Sequence, residues 1–355
     1  MTRLFLGMES LNKVNSGIGR VAMLVVRVVG EEVAANLLAA SGITLSDDTS
    51  PRGSPIPITA ARKSRLTFVG AAFRAHFTHT HFFYDFLGTA RAHRFTLFRA
   101  RPFLTLIYGI EVVNGQPYRV KVARRATELI SISTHTRTRA SECDPTFARA
   151  KVCWLGTLQD DLPLTSRSSQ GRPRVMILAR MDELGLKGHK ELIECWPKVA
   201  AAVPDAVLTI AGGGPTLNYY RTLAANSAAA DRIEFTGLVP EEKIDDLWNV
   251  TTVFAMPSRR EGFGLVYIEA MRHGIPVIAS VHDAGQEINV DAQTGYNVNL
   301  DKPVELPERL IHLLRNPDLA ANLGANGRKR WAEHFRYSSF RDRFRPLLRE
   351  FLGLG

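Results

Sequence analysis

Cysteine is scarce in this chain. Cys143, Cys153 and Cys195 are the only three in 355 residues, and they are neither clustered nor spaced as metal ligands. That excludes a disulfide framework and leads to the expectation of a reducing, cytoplasmic setting. Long hydrophobic runs are missing as well. No run of about 18 uninterrupted apolar residues occurs, and the apolar segment from Val21 to Val29 is short and carries Arg27. No membrane-spanning helix is expected. The N-terminal residues lack the basic, apolar and small-residue succession of a signal peptide, so none is expected. Aromatic-interleaved RNA motifs, zinc knuckles and basic recognition helices are absent, which removes nucleic acid as an expected partner. No internal repeat or low-complexity segment stands out.

What remains is enough chain for two domains and a large buried core. The net charge is +10, and it is unevenly placed. Residues 1–172 hold 23 Lys and Arg against 12 Asp and Glu, whereas residues 173–355 hold 22 against 23. A basic first half suits an anionic partner, with a membrane surface or a lipid-linked phosphate ahead of nucleic acid.

The second half alternates apolar strands with helical segments of ten to fifteen residues, the grammar of βαβ units and a parallel, doubly wound sheet. Strands are expected at Val175–Ala179, Ala206–Ala211, Ile233–Thr236, Val253–Ser258 and Pro276–Ala279. Helices are expected from Lys190, Leu217 and Glu241. The first half follows the same grammar less cleanly, with strands expected at Leu4–Met8, Leu66–Val69, Phe103–Tyr108 and Leu129–Ile132 and a loop over residues 43–57. The domain boundary is expected in the Ser-, Gly-, Pro- and Arg-rich stretch from Leu162 to Pro173. Sheets of this kind bind ligands beyond the carboxyl ends of their strands, where Arg180, Gly212 and Glu261 all fall.

Glu261 and Glu269 carry the most information. They stand in the run Arg260-Glu261-Gly262-Phe263-Gly264-Leu265-Val266-Tyr267-Ile268-Glu269, just after an apolar strand. The glycines permit a tight turn, and the apolar run after Gly264 reads as a helix. One carboxylate therefore sits on a loop at a strand end, the other about one turn into the helix. The free N–H groups of the helix start lie between them and suit an anion. Arg180 and Lys187 follow another strand end, where a planar guanidinium and a compact ammonium could neutralise a diphosphate. Read alone, these are also what a solvated loop of charged residues looks like.

The run from Glu261 to Glu269 resembles the E-x7-E signature of family 4, the retaining, nucleotide-sugar-dependent glycosyltransferases of GT-B fold. Ala179-Arg180-Met181-Asp182, with Lys187-Gly188 after it, is similar to that family's diphosphate pattern, with Ala179 in place of the usual glycine. Gly212-Gly213-Gly214-Pro215 and Asp283-Ala284-Gly285-Gln286-Glu287 are similar to further family segments. The resemblance is strong over residues 173–335 and weaker before them. It implies an α/β chain of two Rossmann-like domains facing a central cleft: residues 1–165 for the acceptor, 173–335 for the nucleotide sugar, and 336–355 as a crossover helix returning to the first domain.

The resemblance also implies roles. Glu261 would bind the donor sugar and Glu269 the ribose hydroxyls, with Arg180 and Lys187 on the diphosphate. Gly262, Phe263, Gly264 and Leu265 would line the donor site, as would Gly212 and Gly213, with backbone N–H groups at Gly264 and Leu265 on the distal phosphate. Gly17, Gly19 and Arg20 resemble the family's first glycine loop, which approaches phosphates and acceptor. Tyr108 stands where many relatives have histidine in a His-Gly-x-Glu segment, with Glu111 three positions on. His135 lies in another loop similar to a cleft-facing one. No cofactor or metal is implied beyond a GDP- or UDP-linked donor, the acceptor being a saccharide or lipid-linked saccharide. Two other readings stay open: a non-catalytic scaffold of the same fold, and a nicotinamide-dependent oxidoreductase using Gly17, Gly19 and Ala22 as a dinucleotide fingerprint.

The segment His76-Phe77-Thr78-His79-Thr80-His81 has no third ligand of suitable type beside His79 and His81, so no metal is expected there. It is read as an acceptor-facing loop with His79 as candidate, or as ordinary core and surface histidines. Phe77, Phe82, Phe83, Tyr84 and Phe86 are expected in the core.

Overall fold

The computed structural model describes residues 1–11, 17–95, 101–109, 117–162 and 171–354. The chain divides into two units, Met1–Leu158 with Tyr337–Gly355, and Gln159–Arg336. They part a few residues before the stretch from Leu162 to Pro173 where the sequence places the boundary.

The first unit is built on strands β1 (Arg3–Met8), β2 (Ala39–Thr44), β3 (Ile58–Ala60), β4 (His81–Tyr84), β5 (Phe103–Ile107), β6 (Glu128–Ser131) and β7 (Lys151–Val152). Helices α1 (Gly17–Ala34), α2 (Arg65–Thr78), α3 (Pro117–Arg125) and α4 (Thr134–Cys143) connect them. The sheet is parallel, in the order β3-β2-β1-β4-β5-β6-β7. Its central strands are covered on both faces, which is why β4 and β5 read as near-continuous apolar runs.

Leu66–Val69, expected as a strand, is the first turn of α2. Ser64 caps it by accepting from the Thr67 N–H at 3.2 Å, and Phe68, Ala72 and Ala75 face the core at helical spacing. A four-residue apolar run does not distinguish the two elements. Phe77 is a second correction: it is 65% exposed, whereas Phe82, Phe83 and Tyr84 are buried.

The second unit contains β8 (Arg174–Leu178), α5 (His189–Ala202), β9 (Val207–Ala211), α6 (Leu217–Ala225), β10 (Ile233–Gly237), α7 (Glu241–Val250), β11 (Val253–Ala255), α8 (Leu265–Arg272), β12 (Val277–Ser280), α9 (Gly285–Ile288), β13 (Gly295–Val298), α10 (Glu305–Arg315) and α11 (Pro317–His334). The sheet is again parallel, in the order β10-β9-β8-β11-β12-β13. Successive strands from β8 run outward one way and those from β11 the other. The ends of β8 and β11 therefore flank the point where strand order reverses, the place such sheets leave open to a ligand.

Helix α12 (Tyr337–Leu352) closes the chain and groups with the first unit. Ion pairs tie it to α1. Glu32, 2% exposed, forms an ion pair with Arg345, whose Nε lies 2.8 Å away, and accepts from Arg349 Nε at 2.9 Å and Nη2 at 3.2 Å. The Tyr337 hydroxyl donates to Glu31 Oε1 at 2.6 Å, and the Arg27 guanidinium lies 3.5 Å from the Tyr337 ring centre. A carboxylate this deep tolerates burial because two guanidinium groups satisfy it.

Candidate functional site

The loop between β11 and α8 is shaped by one glycine. Gly264 caps α8 with φ of 96°, in the left-handed region, and a Cβ there would fall 2.1 Å from the Tyr267 ring. That ring cannot retreat: Tyr267 is fully buried and its hydroxyl donates to the Met256 carbonyl at 2.6 Å. The consequence is a sharp turn that presents the N-terminus of α8 beside Glu261, with Glu269 as the fifth residue of the helix. Phe263 is a correction. Its ring is 1% exposed and packs 6.1 Å from Phe335, so only its backbone is available to a ligand.

Glu261 meets Lys187 across the two loops. Lys187 Nζ lies 2.7 Å from Glu261 Oε2 and donates to the Arg260 carbonyl at 3.2 Å. Burial works to lower the ammonium's pKa, but the charge of Glu261, with Asp283 and Asp182 beyond it, raises it overall, so the lysine stays charged. The two loops are also joined by their backbones, Arg259 N–H donating to the Leu186 carbonyl at 2.9 Å. Gly188, with φ of 94°, lets α5 begin hard against Pro257, whose carbonyl a Cβ would approach to 2.7 Å. Arg180, directly beyond β8, is exposed and makes no hydrogen bond or ion pair with any described residue.

Asp283 is the residue whose part the sequence did not reveal. It is fully buried and accepts from the Glu261 N–H and the Gly285 N–H, both at 2.8 Å. The Glu261 carbonyl in turn accepts from the Ala284 N–H at 3.1 Å. Asp283 thus fixes the backbone from which Glu261 projects. Burial, then the charge of Glu261, push its pKa up to about 7 against the hydrogen bonds it accepts. The Asp283-Ala284-Gly285 run after an apolar strand was the only signal for it.

The glycine turn after β9 packs against the Arg180 segment. Met181 N–H donates to the Gly213 carbonyl at 3.0 Å, and a Cβ on Gly212 would lie 2.2 Å from the Ala179 carbonyl oxygen. Arg180, Lys187, Gly212, Gly213, Glu261, Gly262, Gly264, Leu265 and Glu269 are therefore all placed around strand ends of one sheet. His189, at the start of α5, is buried with its ring centre 4.9 Å from that of Tyr220.

The first unit's candidates divide. Gly17, Gly19 and Arg20 open α1, and a Cβ on Gly17 would meet nothing within 4 Å among the described residues, so their packing does not demand glycine there. Tyr108 follows β5, and His135 lies in the first turn of α4 beyond β6. The two loops touch, since a Cβ on Gly109 would lie 3.2 Å from Thr136 Oγ1. Glu111 lies outside the described residues. His79 is a correction: it caps the C-terminus of α2 and precedes β4, at the end of the sheet opposite the strand carboxyl ends. Its ring nitrogens are paired with Ser41 Oγ and Thr78 Oγ1, each at 2.9 Å, so it is a structural residue and not an acceptor-facing one.

The dinucleotide fingerprint also loses its setting. Eight residues separate the end of β1 from Gly17, whereas the fingerprint needs a glycine turn directly after the strand. Asp48, beyond β2, is anchored in its loop. It accepts from Ser10 Oγ, the Leu11 N–H and Ser46 Oγ at 2.6–2.8 Å.

Four buried groups are expected to shape the pH dependence of stability. Burial holds His93 and His189 down at about 4, and pushes Asp85 and Asp283 up to about 8 and about 7. Histidines of the unfolded chain protonate near 6.5, so acid between about 6.5 and 4 favours the unfolded state through them. The unfolded carboxyls ionise near 3.8, so rising pH favours unfolding through the aspartates until they too ionise. Below about 6.5 the two effects oppose each other, and above it only the carboxyls act. The melting temperature is expected to fall between about pH 6.5 and 8, with Asp85→Asn flattening that fall in calorimetry. A rise over this window, unchanged in the variant, contradicts the assignment.

Comparison with known proteins agrees with the geometry. Residues 164–330 match the family described as glycosyl transferases group 1. A GDP-mannose-dependent alpha-(1-6)-phosphatidylinositol monomannoside mannosyltransferase of Mycolicibacterium smegmatis is 34% identical over 168 residues, 45% of this chain and 43% of the relative. A GDP-mannose-dependent mannosyltransferase of Corynebacterium glutamicum, acting on the monoacylated form of that lipid, is 36% identical over 149 residues, 40% and 38%. The matched segments thus span less than half of these relatives. Among solved structures, sucrose-phosphate synthase of Thermosynechococcus elongatus superposes with a TM-score of 0.80 over all of both chains at 19% identity. Anabaena HepE, solved with UDP and glucose, gives 0.79 over 99% and 100% at 15% identity. The fold is GT-B, and residues 164–330 are similar to the group 1 glycosyl transferases.

Proposed function

We propose, taking residues 164–330 as a group 1 glycosyl transferase domain, that this protein transfers a hexose from a nucleoside diphosphate sugar to a saccharide or lipid-linked saccharide. The observation that carries the reading is the Lys187–Glu261 pair, set at the strand-order reversal of the second unit beside the N-terminus of α8. Breaking the bond between an anomeric carbon and a diphosphate builds negative charge on the leaving group. Fixed cations and N–H donors aimed there lower the barrier. Lys187 and the unpaired Arg180 supply the cations, and the N–H groups of Gly264 and Leu265 supply donors for the distal phosphate. Glu269 is assigned to the ribose hydroxyls. Glu261 both holds Lys187 and offers its carboxylate to a sugar hydroxyl.

With cationic side chains on the diphosphate the reading is metal-independent, and the family 4 resemblance assigns retention of anomeric configuration, with the departing phosphate taking the acceptor's proton. GDP-mannose in the names of the matched relatives and UDP with HepE support a nucleotide-sugar donor. The lipid substrates in those names, together with the basic first half, support a lipid-linked acceptor at an anionic membrane surface.

The test is thermal-shift binding of GDP, UDP, ADP and dTDP, with and without EDTA. A ligand at about 100 times its Kd adds about 2.7 kcal/mol of apparent stability. Stabilisation by one diphosphate, untouched by EDTA, is the expected result. No shift with any of them speaks for a non-catalytic relative.

A further inference from the structure

Helix α2 is apolar on both sides, yet only one side is covered. Its inner face buries Phe68, Ala72 and Ala75. At the turn spacing of the outer face stand Leu66, Gly70, Phe73 and Phe77, with Leu66 86% and Phe77 65% exposed and the Phe73 and Phe77 rings in contact at 5.4 Å. Leu66 and Phe77 mark a ridge about 16 Å long. A surface helix normally gives its outer face to polar residues, so an apolar ridge facing solvent calls for a partner.

Charge selects that partner. Helix α2 contains no acidic residue, and Arg65 at its start and Arg74, beside Phe73, are both exposed. Just before the helix, Arg62 and Lys63 are exposed too, and both sit in the left-handed region, with φ of 51° and 63°. Two successive non-glycine residues there are strained. The turn is held by backbone bonds from Arg62 N–H to the Ser46 carbonyl and from Lys63 N–H to the Leu45 carbonyl, at 3.0 and 2.7 Å. Asp47, itself exposed, lies 4.0 Å from Lys63. Two copies meeting through this face would bring like charges together. An apolar ridge rimmed by cations instead fits the boundary between acyl chains and anionic headgroups.

We propose that the outer face of α2 is a docking surface for an anionic lipid bilayer, with Leu66, Phe73 and Phe77 entering the acyl boundary and Arg62, Lys63, Arg65 and Arg74 meeting headgroup phosphates. The purpose of such docking rests on the transferase reading above, since it would bring the enzyme to a lipid-linked acceptor; the docking itself does not depend on donor binding.

The experiment is co-sedimentation of the full chain with phosphatidylcholine vesicles, with and without phosphatidylglycerol, over a range of salt. The wild type is expected to bind the anionic vesicles and to release as salt rises. The double variant Leu66→Ser, Phe77→Ser is expected to lose affinity about a hundredfold. The double variant Arg65→Glu, Arg74→Glu is expected to lose at least about tenfold and most of the salt dependence. Both should keep the wild-type melting temperature and nucleoside diphosphate binding. Failure of the wild type to bind, equal binding to neutral vesicles, or wild-type binding by both variants overturns the proposal. So does self-association in sedimentation that the Leu66→Ser, Phe77→Ser variant abolishes, which would make the occupant a second copy. Loss of vesicle binding with nucleotide binding intact removes the docking face alone, whereas vesicle binding without nucleotide binding removes the transferase reading.

Discussion

Lys187→Ala should lower turnover by roughly 100- to 1000-fold while leaving the protein folded. The side chain does two things that alanine cannot. It places an ammonium beside the N-terminus of α8, and it neutralises Glu261, whose carboxylate lies 2.7 Å away and is only 21% exposed. Without the lysine, a developing diphosphate charge faces an unpaired carboxylate with Asp283 behind it. Lys187→Arg should recover part of the loss in binding but less of the rate, because a planar fork does not fill the position of a compact ammonium held by one carboxylate and one carbonyl. Glu261→Gln keeps the shape and removes the charge, so it also separates the two remaining interpretations. An enzyme loses turnover with its fold intact, and a scaffold does not respond. Activity within twofold of wild type in Lys187→Ala, measured as nucleoside diphosphate released from the preferred donor, would place the donor elsewhere.

Gly264→Ala should be the more damaging change to structure. The single methyl group meets a left-handed φ of 96° and a ring atom at 2.1 Å. Tyr267 has nowhere to go, with Gly285 behind it, whose own Cβ position is 3.1 Å from the ring, and Met256 holding its hydroxyl. Strain in the backbone and overpacking against the ring together cost about 2–4 kcal/mol. The denaturant midpoint should fall accordingly, and nucleoside diphosphate affinity should fall with it, since the turn sets the direction of the α8 N–H groups. Gly17→Ala provides the contrast. A Cβ there meets nothing within 4 Å among the described residues, so its stability should match wild type, and any defect it shows belongs to ligand approach.

The second unit was readable because its signals are local and repeated. The central strands from Val175 to Ala279 are apolar runs bounded by turns, with only β10 at the sheet edge alternating, each helix begins within a few residues of its expected start, and the glycines that shape the loops mark themselves. The ion pair was less readable. Lys187 and Glu261 are 74 positions apart, and only the adjacency of β8 and β11 in the sheet brings their loops together. Asp283 depends on that same packing, since its carboxylate acts on the backbone of a loop 22 residues earlier.

In the first unit the sequence misled where short runs were ambiguous. Leu66–Val69 has the composition of a strand and the capping of a helix, and Ser64 decided between them. His79 stood in a row of histidines that suggested a ligand, but tertiary placement turned it toward Ser41, away from the strand ends. Phe77 has the residue type of a core position, and its exposure emerges only once the inner face of α2 has been filled by Phe68, Ala72 and Ala75.

The central claim is that the donor lies where β8 and β11 part. Diffraction from crystals grown with the nucleoside diphosphate that most stabilises the protein tests it directly. The account predicts the diphosphate within hydrogen-bond reach of Arg180, Lys187 and the Leu265 N–H, with the ribose hydroxyls on Glu269. A nucleotide bound at any other strand end, or with Lys187 still closed on Glu261 and no phosphate near it, would contradict it.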